Sequence, residues 1–129
     1  MGFNDDNFLD DYEIQELINK FESQLESGMP LFFDADELNI ILEHYVQKND
    51  IPKINIIADL ASTYHEANPL TKLIMAKKYL SVQDAANALP YLLDESNNAD
   101  DPDYQLSLGY CYSLMDEHKK SLSAYKKAV

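Results

Sequence analysis

The sequence predicts an all-α chain of stacked helix hairpins, and three observations carry that reading. Only three Gly and five Pro occur in 129 residues, too few for a fold rich in tight turns. Apolar residues recur at three- and four-residue steps, the spacing of one helix face. Polar residues suited to opening helices return at a nearly fixed interval, 34 residues from Asp34 to Asn68 and 33 from Asn68 to Asp101. A period in this range marks supersecondary units that stack. Each short helix is marginal alone and gains stability by burying its stripe against its neighbours.

Residues 1–34 form an acidic leading segment with a helix over about 10–27. Phe3 and Phe8 lie among Asn and Asp in a start expected to fray. Ile14, Leu17, Ile18, Phe21 and Leu25 share a face, the helix dipole favours Asp10, Asp11 and Glu13, and Gly28 and Pro30 end the helix. The first unit, 35–68, opens on a capping-box spacing, Asp34 to Glu37. Leu38, Ile41, Leu42 and Tyr45 form its first stripe. Asn49-Asp50 breaks it, Pro52 suits the first turn of the next helix, and Ile54, Ile57, Ala58 and Ala61 continue. Units 69–101 and 102–129 open on Asn68-Pro69 and Asp101-Pro102. Each unit is expected to hold two helices of about a dozen residues. Pro90 falls inside the second helix of the middle unit and should kink it or shift its start. The third unit reaches Val129 with no polar capping helix after it. That reads as the start of a longer array, or as an end covered by another chain, and offers a surface for self-association.

The last unit carries the most specific signature. Leu108-Gly109, Tyr112, Ser121, Tyr125 and Ala128 resemble the L-G-x2-Y…A-x3-F…A spacing of the tetratricopeptide repeat. Ala76, Tyr79, Ala88 and Leu92 occupy the corresponding places in the middle unit, with a departure at Glu95. Leu42, Tyr45, Ile54, Ala58 and Ala61 occupy them in the first. Leu38, Lys72 and Gln105 stand where the family opens its motif with an aromatic. The chain is also similar to bacterial repeat proteins in which an acidic leading helix precedes a Phe-Phe-Asp segment, here Phe32-Phe33-Asp34. The resemblance implies a right-handed α-solenoid of helix hairpins with one extra N-terminal helix. It also implies close helix approach at Gly109, with Tyr125 covering the joint. Its concave groove would bind an extended peptide through Asn39, Glu43 and Gln47 from the first unit, Leu73, Lys77 and Leu80 from the second, and Leu106 and Tyr110 from the third. Some family members hold a peptide's C-terminal carboxylate with a basic ring. Glu43 stands at a matching position here and Lys77 supplies the one cation, so that variant is not expected.

Composition narrows the function. The net charge is −13, and all ten basic residues are Lys, with no Arg. Such a chain repels phosphate and lacks the bidentate guanidinium that reads bases, so neither nucleic acid nor an anionic membrane is an expected partner. The charge is graded, from −8 over residues 1–34 to +1 over residues 102–129. This reads as a solvated leading region, or as a gradient that orients a basic partner. Lone Cys111 excludes an internal disulfide and reads as a buried filler. The first residues carry no secretory signal, and a cytoplasmic location is expected. His44, His65 and His118 lack zinc spacing, and His44 reads as a partly buried structural residue. Asp100, Asp101 and Asp103 around Pro102 read as a helix cap rather than a calcium loop. No phosphate loop, cofactor motif or catalytic constellation is found.

The expectation is therefore a non-catalytic module that binds an unidentified protein or peptide. A self-association element and a regulatory segment of a larger enzyme are the alternatives. Tyr79, Tyr112 and Tyr125 have packing roles in the repeat, whereas Tyr104 and Tyr110 are less constrained.

Overall fold

The computed structural model describes residues 9–94 and 100–129; the segment bearing Phe3 and Phe8, and the departure at Glu95, lie outside them. Every regular element among the described residues is a helix. In chain order these are α1 (Asp11–Ser27), α2 (Ala35–Gln47), α3 (Ile51–Tyr64), α4 (Pro69–Leu80), α5 (Ala85–Leu92), α6 (Pro102–Leu114) and α7 (His118–Ala128).

Local chemistry starts and stops them. Asp10 and Asp34 each close a full capping box: Glu13 N and Glu37 N donate to their carboxylates at 2.8 Å, and the glutamates accept from the cap amides in return. Such a cap contributes about 1 kcal/mol. Asn68 and Asp101 cap α4 and α6, each followed by Pro at the first helical position, where no intrahelical N–H is needed. Gly28, at φ 73°, closes α1 in the left-handed conformation.

The helices pair as α2–α3, α4–α5 and α6–α7. The first members also touch in sequence, α2 on α4 and α4 on α6, while α1 docks on α2. The three hairpin turns are copies of one another. Asn49, Gln83 and Asp116 sit at φ 55°, 62° and 59°. The next residue, Asp50, Asp84 or Glu117, donates its amide to the carbonyl of Tyr45, Tyr79 or Tyr112 at 3.0, 2.9 and 2.9 Å. The periodicity of the sequence is thus a periodicity of backbone hydrogen bonding.

Packing follows the same register. Leu42, Ala76 and Gly109 occupy equivalent places on the first helices, and Ala58, Leu92 and Tyr125 on the second. As the first-helix residue shrinks from Leu to Ala to Gly, its counterpart grows from Ala to Leu to Tyr. At Gly109 the fit leaves no room: a Cβ there would lie 2.6 Å from the Tyr125 ring. Ser121, small and buried, donates its hydroxyl to Gly109 O at 2.8 Å.

The buried residues form two clusters. One joins α1, α2 and α3 around Phe21, Leu38, Ile41 and Tyr45 and takes in Ile74. The other joins α4, α5 and α6 around Ala76, Leu92, Tyr104 and Cys111. Each fully buried large apolar side chain contributes roughly 1.5–3 kcal/mol, so these clusters dominate stability. Helix α4 faces both. Helix α7 buries only Ser121 and Ala124.

Two expectations need correction. Helix α5 has eight residues rather than a dozen, with Pro90 inside it and its end two residues later. The proline lacks the N–H that would bond one turn back, which shortens the helix. Tyr104 is not loosely constrained. It is buried, and its hydroxyl donates to Leu92 O, supplying a partner for a carbonyl that the short helix leaves open.

Candidate interaction groove

Glu43 on α2 and Lys77 on α4 are separated by 34 residues, one repeat, so they stand at the same place on neighbouring helices. Their side chains meet: Lys77 Nζ donates to Glu43 Oε1 at 2.6 Å. The same ammonium donates to Asn39 Oδ1 at 2.9 Å and to Asp103 Oδ2, on the first turn of α6, at 2.7 Å. Asn39 Nδ2 completes the cluster with a 3.3 Å bond to Asp103 Oδ2. An ammonium has three donors, and these three acceptors use all of them. The Lys77 side chain is only 7% exposed, whereas Glu43 and Asp103 are 46% and 38% exposed. The lysine is therefore a buried tie between three helices, and its partners are the half that faces solvent.

Beside this cluster lies a cavity of about 550 Å³. Glu43, Lys77 and Asp103 are the charged side chains on its wall, for a net charge of −1. Leu80, Val46, Leu106 and Tyr110 supply apolar surface. Leu106 is 51% and Tyr110 40% exposed, high for such side chains.

The sequence-predicted groove residues divide accordingly. Glu43, Lys77, Leu80, Leu106 and Tyr110 surround the cavity, and Asn39 joins it through Lys77 and Asp103. Gln47 does not line the cavity; it is exposed on the last turn of α2. Leu73 does not line it either. It is 4% exposed and packs in the core cluster with Ala76 and Tyr104. Sequence reasoning missed Asp103. Of the three acids around Pro102 it took to be a cap, Asp101 caps α6 by accepting from Asp103 N at 2.9 Å. That bond uses the Asp103 backbone and leaves its carboxylate for Lys77.

Other titratable groups have structural settings. Tyr45 is buried and donates to Glu22 Oε2 at 2.5 Å. Burial first, then the Glu22 carboxylate, raises its hydroxyl pKa far above the usual phenol value. Burial also raises Tyr104 and Cys111. The Cys111 thiol, fully buried, lies 3.5 Å from Ala85 O. His44 packs edge-on to Tyr45. Asp50, capping α3, is lowered by its hydrogen bond from Lys53. A smaller apolar hollow of about 350 Å³ lies where Phe32 meets Tyr64, with Leu31 and Leu60 on its wall.

Among the described residues no three His, Cys, Asp or Glu side chains are grouped to hold a metal ion, and no helix is long and apolar enough to cross a membrane. Comparison with protein-family models, curated proteins and solved structures finds no match for this chain.

Proposed function

We propose that this chain is a non-catalytic protein-interaction module, a tetratricopeptide-like right-handed α-solenoid that holds a peptide segment of another protein in the groove along α2, α4 and α6. The observation that carries this reading is the composition of the groove wall. Half-exposed Leu106 and Tyr110 line the same cavity as half-exposed carboxylates that are ion-paired to Lys77. Aromatic surface beside polar groups on fixed elements suits recognition of a segment by shape and side-chain contact. The three copied turns and the graded Leu-Ala-Gly series support the repeat reading. The charge of −13 without Arg supports a protein or peptide partner over nucleic acid or an anionic membrane, and we place the module in the cytoplasm. Glu43→Gln, which keeps an oxygen for Lys77, together with Tyr110→Ala should weaken capture of the partner in a pull-down read by mass spectrometry, with helicity by circular dichroism retained. Unchanged capture removes the groove from the reading.

A second reading, self-association, is favoured by α7, where Leu122 is 55% exposed and Tyr125 36%. Sedimentation across concentration separates the two, since a monomer throughout leaves the peptide groove alone.

A further inference from the structure

We infer that the groove selects a segment presenting a lysine or arginine next to an apolar side chain, and discriminates against acidic segments. This rests on the groove being the binding surface. Sequence alone makes Lys77 the groove's one cation, beside Glu43, and does not lead to an anionic ligand. The geometry carries that further. All three Lys77 donors are taken by Asn39, Glu43 and Asp103. Its charge is offset by one carboxylate, and the other leaves the wall at −1. An anionic ligand would have to displace a carboxylate already bonded at 2.6 or 2.7 Å, and leave it near its own charge.

The acceptors that remain point to a cation. Each carboxylate spends one oxygen on Lys77, and the second oxygens, Glu43 Oε2 and Asp103 Oδ1, take part in none of these bonds. Both residues are more than a third exposed. A guanidinium or ammonium entering the cavity meets these oxygens, and charge-assisted bonds of this kind are the stronger class. Leu106 and Tyr110, on the α6 side of the same cavity, then cover an adjoining apolar side chain, and Tyr110 can stack on a guanidinium. The cavity of about 550 Å³ is large enough for such a pair of side chains and too small for a folded domain.

The test is selection of short random peptides displayed on phage against the intact chain, with winners re-measured as free peptides by fluorescence anisotropy. The expected winners carry Lys or Arg beside Leu, Phe or Tyr. They should bind at least about tenfold more weakly to the Glu43→Gln/Asp103→Asn variant, the effect of losing one charge-assisted contact. Both substitutions keep an oxygen for Lys77 but leave its buried charge without a carboxylate, so circular dichroism checks the fold first. Should that variant fail to fold, the ratio of basic to acidic winners on the unaltered chain decides. Winners that are acidic or neutral, yet lost with Tyr110→Ala, overturn the charge preference and leave the groove in place. Winners indifferent to both variants overturn groove binding itself.

Discussion

The ring of Tyr125 lies where a side chain at Gly109 would be, 2.6 Å from the place of its Cβ. Gly109→Ala should therefore destabilise the chain by about 1–3 kcal/mol, the usual cost of overpacking. The middle unit solves the same position with Ala76 against Leu92. Gly109→Ala/Tyr125→Leu recreates that pair and should cost less than the sum of the single changes. A double-mutant cycle by urea unfolding measures the coupling; additive effects would mean the ring swings aside freely.

Lys77→Met leaves Glu43, Asp103 and Asn39 as acceptors facing one another. The expected loss is about 1–3 kcal/mol, below that for a fully buried pair because both carboxylates are partly hydrated. Adding Glu43→Gln and Asp103→Asn should recover most of it. Chemical denaturation of the single and triple variants checks this.

Tyr45 and Tyr104 have folded-state pKa values raised above the ordinary 10.0. In the unfolded chain they ionise from about pH 10, so the stability due to the neutral hydroxyls is whole below that pH and is lost as pH rises beyond it. Tyr45→Phe should flatten the decline in midpoint above pH 10. The Asp50 shift has the opposite sign. Its carboxylate stabilises the start of α3 above the ordinary aspartate value of 3.8 and loses that effect as pH falls.

Three residues hold left-handed backbone at the hairpin turns, and they should not respond alike to glycine. Asn tolerates that region and Gln does not, at a cost of roughly 1 kcal/mol. Gln83→Gly should raise the thermal midpoint more than Asn49→Gly. Equal gains would show that side-chain strain at Gln83 is relieved elsewhere.

What could be read ahead of the structure was what is local. Asp34, Asn68 and Asp101 act within three residues of themselves, so their roles as caps were visible in their spacing. The 34-residue spacing put Glu43 and Lys77 in one register but did not show that they would bond, because a period says nothing about how far apart adjacent helices stand. Asp103 was hidden by its neighbours: next to a proline and a cap, an acid looks like more of the cap. Tyr104 was misjudged because its partner, Leu92 O, exists only after α5 has been cut short by Pro90. Leu73 and Gln47 stand away from the cavity for a geometric reason. The residues at the ends of a groove stripe drift, on a helix of 3.6 residues per turn, into the core or around to the solvent.

The bond from Asn39 to Asp103 spans the first and third hairpins with the second between them. In a linear stack, energy passes only between adjacent units, and the ends peel away one at a time. Here release of the third hairpin also takes the Asp103 acceptor away from donors on both of the other two, Asn39 and Lys77. The chain through α6 should therefore unfold in one transition, with its amides exchanging at a common free energy, while α7, holding only Ser121 and Ala124 in the interior, opens earlier by itself.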